Sequence, residues 1–248
     1  MLRDVAAGGY RFLPGIPAFS SGTVAMPGWE IVHATLAAPL PWRQGFARID
    51  GQLKQAGRPR QALCGIMLRS PAPFTFDGFD GFNQGYRGLL EEWRILVDGD
   101  NPIPRTNVVP VVGPPGEPML YAFDYTVAGT TAAPTFIVAG AGELRERARG
   151  VEGIVRRGET SPDAMREKAR FVLAIMQDRL RALGGAWERV TTIDVYTAQP
   201  IHGIVEGEIL PAAGPAAVHG VHWYPSQPPI QGLEFEMDMR GVAREVVL

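Results

Sequence analysis

Hydrophobic positions along the chain switch between a period of two and a period near 3.6. WEIVHATL, residues 29–36, is rich in β-branched and aromatic residues and follows a turn at Pro27–Gly28, so it reads as a strand. Phe46, Ile49 and Leu53 then recur at helical spacing and stop at Gly57. ALCGIML, residues 62–68, is a short apolar run of the kind a buried strand shows. Phe79, Phe82, Tyr86, Leu89, Leu90 and Trp93 line one face of a second helix. NVVPVV and MLYAFDYTV follow as strands on either side of the turn GPPGEP. The predicted order is ββαβαββ.

The same succession returns in the second half. TFIVAGAGEL reads as a strand and leads into an Arg-rich run over 145–157, expected to be a solvated loop because Glu143, Glu146 and Glu152 interleave with it. Ser161-Pro162 has the chemistry of a helix start, a serine N-cap and a proline at the first helical position. Met165, Ala169, Val172, Met176, Leu180 and Leu183 form the apolar stripe behind it, stopped by Gly184-Gly185. RVTTIDVYT is a β-branched strand and HGIVEGEIL at most a short helix. AVHGVHWY and GLEFEMDM read as strands around PSQPPIQG. LEFEMDM alternates strictly, with Glu234, Glu236 and Asp238 on the face opposite the apolar residues. Leu53 and Leu180, Gly57 and Gly184, and Ile66 and Ile193 share one sequence offset, which predicts a duplication. AGTTAAP, residues 128–134, has the composition of the junction. The expected domains are therefore 1–129 and 130–248, each a mixed sheet with two helices on one face, an α+β architecture.

Composition narrows the function classes. Of 248 residues, 24 are Lys or Arg and 26 Asp or Glu, so no basic excess points to a nucleic-acid partner. The single cysteine, Cys64, rules out an intramolecular disulfide and a multi-cysteine zinc site, and its apolar strand makes it a small buried hydrophobe. A reducing, cytoplasmic compartment is expected, since the opening MLRDVAAGGYRFLPG has no apolar secretory core and no apolar run is long enough to span a membrane. GAG at 140–142 lacks the third glycine of a dinucleotide loop, and neither a P-loop, HExxH nor GxSxG occurs. His219 and His222, three apart on a predicted strand, would face opposite sides and could not share a metal.

The remaining constellation is ordered along both halves. PAFSSG, with Phe19, comes first. FDGFNQGY follows on the second helix, with Phe79, Asn83 and Tyr86. Pro104-Arg105-Thr106, with Asn107 and Val108, opens a strand, TFIVAG carries Ala139–Gly140, and LEFEMDM closes the chain's second half. This set resembles the Rid (YjgF) family, with two copies over nearly the whole chain. The resemblance implies two tandem chorismate-mutase-like, YjgF-like domains. It implies a cofactor-independent hydrolase or deaminase acting on a small carboxylate-bearing imine, enamine or amino compound, without a metal. It assigns carboxylate binding to Arg105, the water-activating carboxylate to Glu234, and an accessory position to Asn83. His219 stands where copy two should carry the signature arginine. Phe19, Tyr121, Gly140 and Asn107 are the implied substrate contacts. It also implies a homo-oligomer, a trimer by preference.

Each copy departs from the family pattern. MLYAFDYTV lacks the glutamate, with Tyr121 or Asp124 nearest, and copy two lacks both the arginine and the helix asparagine. One shared site, Arg105 with Glu234 and Gly140, is the expectation that follows. Bland roles remain open: a surface ion pair for Arg105, solvent for Glu234, a core position for His219. Two other functions also remain, a non-catalytic small-ligand or interaction protein on this fold, and a ring-opening or lyase-type enzyme using the same cleft.

Overall fold

The computed structural model describes residues 1–145 and 150–248. In chain order the elements are β1 (Arg3–Val5), β2 (Tyr10–Leu13), β3 (Gly22–Ala25), β4 (Trp29–Pro41), α1 (Trp42–Gln55), β5 (Leu63–Arg69), α2 (Phe76–Glu92), β6 (Arg105–Pro110) and β7 (Met119–Ala128). There follow β8 (Phe136–Gly142), α3 (Pro162–Ala182), β9 (Thr192–Tyr196), a short helical segment over 202–213, β10 (His222–Tyr224), β11 (Ser226–Gln227), β12 (Glu236–Gly241) and β13 (Arg244–Val247). The Ser161 cap falls where the sequence signals it, and Thr75 supplies a second. Thr75 Oγ1 accepts from the Gly78 N–H at 3.1 Å and Ser161 Oγ from the Ala164 N–H at 3.3 Å. Gly57 and Gly184 follow α1 and α3 with φ of 65° and 74°, the left-handed conformation that ends a helix most cheaply at glycine.

These strands make two mixed sheets. Sheet I runs β11-β6-β5-β7-β4-β13, and sheet II runs β1-β2-β3-β8-β12-β9-β10. The predicted neighbours on either side of GPPGEP do not form a hairpin. β5 lies between them, parallel to β6 and antiparallel to β7. Sheet II repeats the arrangement, with β9 parallel to β10 and antiparallel to β12. Helical crossovers account for this, because a parallel pair needs a connection long enough to return to the same end of the sheet. β1–β3 precede position 129 yet extend sheet II through β3 and β8, while β11 and β13 extend sheet I.

Helices cover the outer faces. Phe46, Ile49 and Leu53 of α1 and Tyr86 and Leu90 of α2 pack on Phe123 and Tyr125 of β7. Met165, Val172, Met176 and Leu180 of α3 pack on Val138, Val195 and Met237. Between the sheets lies a smaller apolar cluster of Tyr10, Phe12, Ile31, Cys64 and Ile137. Cys64 is fully buried, and burial pushes its thiol well above the usual range, in keeping with a packing role.

Two sequence expectations change here. Of AVHGVHWY, only His222–Tyr224 is strand, while Gly214–His219 is a 3-10 turn, in which Pro215 has no N–H to offer a ladder. His219 is thus an exposed turn residue, not a strand residue. The polar face of LEFEMDM is not solvated either: Glu236 and Asp238 are 4% and 1% exposed, because that face of β12 is turned toward sheet I. Part of the Arg-rich run, 146–149, lies outside the described residues. At its edges Glu143 is fully buried, whereas Arg156 is a surface residue paired with Glu159, Asp163 and Glu167.

Because each sheet takes strands from both ends of the chain, neither is complete without the other. Thermal unfolding is expected as one transition, with equal calorimetric and van't Hoff enthalpies in scanning calorimetry. Two resolved transitions would show that the halves unfold independently.

Candidate functional site

Pro104 and the extended run after it place Arg105 at the first position of β6, beside Ile66 of β5. Its side chain passes to the helical face and meets α2. Nη2 donates to Asn83 Oδ1 at 2.6 Å. The guanidinium carbon is 4.8 Å from the Tyr86 ring centroid, 5.1 Å from Phe19 and 5.5 Å from both Phe79 and Phe82. Arg105 is 3% exposed, and its Nη1 has no hydrogen-bond partner among the described residues. Burial pushes its pKa down to about 10, so it remains a cation at neutral pH. Asn107, two positions on, shares the same face. Its Oδ1 accepts from Ser70 Oγ at 2.9 Å, and its buried Nδ2 is without a partner among the described residues.

The facing wall comes from sheet II. Met237 pairs with Ala141 and Met239 with Val138, so Ala139 and Gly140 together oppose Asp238. This β-bulge re-aims the strand where the cavity begins. A Cβ on Gly140 would overlap Glu236 Oε1 and stand 3.0 Å from Thr106 Oγ1, so only glycine lets the carboxyl lie across the bulge. Arg179 of α3 donates to the carbonyls of Ala139 and Gly140 at 3.0 and 3.3 Å, bracing the bulge from behind.

Glu236 carries the carboxyl of this wall. Its burial, then the neighbouring Asp238 and Glu143, push it well above the usual carboxylate range, while Arg179 and Arg105 pull the other way. The balance favours the neutral form of the carboxyl over its ordinary ionised state. Asp238 behind it is raised to about 8, first by burial and then by Asp194, although its Oδ2 accepts from Thr106 Oγ1 at 2.6 Å and from the Tyr196 hydroxyl at 3.0 Å. Glu143 and Lys168, both fully buried and 3.0 Å apart, anchor the approach to β12. Glu143 accepts from the N–H groups of Glu234 and Phe235 at 2.7 and 3.0 Å.

The walls enclose a cavity of about 570 Å³ that Arg105, Asn107, Gly140, Glu236 and Arg179 line together with apolar side chains such as Phe19 and Leu233. A mostly apolar concavity with a few convergent polar groups has the form of a small-molecule site. Of the residues named from sequence, Arg105, Phe19, Asn107 and Gly140 meet in it, and Asn83 stands directly behind Arg105. Glu234 is half-buried outside the lining and takes a hydrogen bond from Gln199 Nε2 at 3.3 Å. The strand begins only at Glu236, so the alternation that seemed to equate the two glutamates does not extend back to Glu234. Tyr121 is also outside the lining, its ring 4.0 Å from the Arg69 guanidinium carbon, and His219 lies in the surface turn. Glu236 and Arg179 are the site residues that sequence reasoning passed over. Alternation put Glu236 on the right face but could not choose between it and Glu234, and nothing in the α3 pattern distinguishes Arg179 from the other charges there.

Fold and cavity together define an α+β protein whose concave site is built jointly by two sheets. A family model described as "2-aminomuconate deaminase CnbZ" matches residues 2–246, and the chain belongs to that family. A 2-amino-5-chloromuconate deaminase of Comamonas testosteroni is 41% identical over 244 residues, covering 97% of this chain and 96% of that protein. Among solved structures, a chorismatase is similar at 11% identity, covering 90% of this chain and 77% of that one with a TM-score of 0.45. A putative endoribonuclease L-PSP from Entamoeba histolytica is similar at 18% identity over 44% of this chain and 79% of that one, TM-score 0.33. The YjgF gene product of E. coli is similar at 14% identity over 54% and 91%, TM-score 0.27. Among the described residues no helix is long and apolar enough to cross a membrane.

Gly140→Ala is expected to expel the Glu236 carboxyl from its place beside Thr106 while the fold survives, since the nearest atom is the far end of a flexible side chain. Overpacking of this kind costs about 1–3 kcal/mol. A melting curve and a crystal structure of the variant check both halves of the expectation, and an unmoved Glu236 would contradict it.

Proposed function

We propose that this protein is a deaminase of small unsaturated amino dicarboxylates of the 2-aminomuconate type. Family membership and the Comamonas relative support the substrate class. The observation that carries the reading is the buried Arg105 cation, which lines the cavity and whose Nη1, like Nδ2 of the lining residue Asn107, is buried without a hydrogen-bond partner among the described residues. Two spare donors on lining residues, one of them charged, suit a carboxylate, which only accepts hydrogen bonds.

The reaction is written for an enamine substrate. Glu236, protonated in the empty site, gives its proton to a carbon of the conjugated enamine, leaving an iminium at the amino-bearing carbon. The Glu236 carboxylate so formed is stabilised by that iminium charge. It then takes a proton from a water molecule as the water oxygen bonds to the iminium carbon. Transfer of the hydroxyl proton to nitrogen, again through Glu236, releases ammonia and leaves the 2-oxo acid. Glu236 ends as it began, and one water is consumed per ammonia released. Acid and base work of this kind contributes typically about 10²–10⁴-fold. Arg105 and Asn107 hold the carboxylate next to the reacting carbon, and Asn83 with the aromatic cage holds Arg105.

The finer organisation belongs to the same reading. The order β6-β5-β7-β4 in sheet I and β10-β9-β12-β8 in sheet II, with matching relative directions, supports two Rid-like copies meeting near 129/130, with outer strands exchanged. Activity without metal or organic cofactor and a trimeric assembly are carried over from the Rid resemblance, and a cytoplasmic location from the cysteine usage.

Ammonia release and loss of the substrate chromophore, followed with 2-aminomuconate, test the proposal. Glu236→Gln should lower kcat about 10²–10⁴-fold, and Glu234→Gln should leave it within a few-fold. The reverse ranking would return the catalytic role to Glu234. Arg105→Gln should chiefly raise KM. Because Glu236 has to start protonated and burial raises its pKa, kcat/KM should fall as pH rises through that raised pKa. A wild-type protein that binds 2-aminomuconate and releases no ammonia would end the deaminase reading.

A further inference from the structure

Ser70 lies behind Asn107, fully buried and away from the cavity lining. Its N–H donates to the Val108 carbonyl at 2.9 Å, which extends the β5–β6 ladder by one residue and fixes the position of its Cα. Pro71 after it holds the backbone extended. From there its hydroxyl has one recorded bond among the described residues, to Asn107 Oδ1 at 2.9 Å.

An amide has a donor end and an acceptor end of nearly the same shape, and its neighbours decide which end faces where. We propose that Ser70 is a positioning residue that draws the oxygen of the Asn107 amide away from the cavity, so that Asn107 and Arg105 together present only donors and select a carboxylate. The proposal rests on the carboxylate-binding reading of this cavity. With the amide turned over, an acceptor would stand where Nδ2 now stands. A carboxylate, itself only an acceptor, would then be opposed instead of bound. The turned amide also leaves the buried Ser70 hydroxyl without an acceptor, and an orphaned buried donor is costly. Ser70 thus keeps the donor end of the amide available without touching the ligand.

The probe is cis,cis-muconate, a dicarboxylate without the reacting amine, titrated by calorimetry into the intact protein, alongside ammonia-release kinetics with 2-aminomuconate. Ser70→Ala should weaken muconate binding and raise KM by about fivefold to tenfold. kcat and the pH profile should stay in place, and Ser70→Thr should restore binding. In the Asn107→Ala background Ser70→Ala should add nothing, because Ser70 acts through that amide. Unchanged muconate affinity in Ser70→Ala, or fully additive losses in the double variant, would overturn the proposal, and so would failure of Ser70→Thr to rescue. If Ser70→Ala does not fold, Ser70→Cys, a weaker donor, is expected to give an intermediate affinity, and wild-type affinity there counts against the role. Wild-type protein that does not bind muconate at all would sink the carboxylate reading itself, whereas wild-type binding that Ser70→Ala leaves untouched sinks only the role of Ser70.

Discussion

A guanidinium taken out of water without a carboxylate beside it is a costly thing to build into a fold. The penalty for burying such an ion is several kcal/mol even after relaxation. Arg105 is held in that condition by four aromatic rings and by the Asn83 carbonyl oxygen. Desolvated cation–π contacts contribute about 2 kcal/mol or more at best, and a hydrogen bond to a charged group about 1.5–3 kcal/mol. These terms offset much of the penalty, yet Nη1 still lacks an acceptor among the described residues. The remaining demand for negative charge sits on a residue that lines the cavity, and the other features of the site are arranged around it.

A carboxylate already in the wall would have neutralised that demand. Burial and the two acids nearest to it push the Glu236 carboxyl toward its neutral form instead. The cavity therefore sets a buried cation against a carboxyl raised well above the usual range. Maintaining that distinction takes a second layer of structure. The bulge at Ala139–Gly140 makes room for the carboxyl, Arg179 braces the bulge, and Glu143 with Lys168 fixes the chain leading into β12. All of these supports come from the second half of the chain, whereas Arg105, Asn107 and their backing come from the first.

Much of this was legible in the residues themselves. Helical stripes ending at Gly57 and Gly184, the Ser161-Pro162 start and the β-branched runs are local signals, and local periodicity is set by which side must meet a core. The ordered aromatic, asparagine and Pro-Arg motif of copy one located Arg105, Asn83, Phe19 and Asn107, because those positions are tied to one another by short stretches of regular structure. The Rid resemblance pointed to Glu234, and alternation along the strand could not correct that choice. Strand alternation repeats every two residues, so it names a face and not a position on it, and the position depends on where the ladder starts.

The sequence by itself determined that the chain is a mixed α+β protein with two matching successions of elements, and it singled out Arg105 and a carboxyl in LEFEMDM as the candidates for one shared site. Only the tertiary structure decided that β1–β3 and β13 complete sheets at opposite ends of the chain, that the polar face of β12 is buried, and that Glu236 is the carboxyl opposite Arg105. Those outcomes depend on contacts between residues more than a hundred positions apart, such as Thr106 with Asp238. A local pattern records whether a side chain needs a partner, while the identity of the partner is settled when two sheets close on each other.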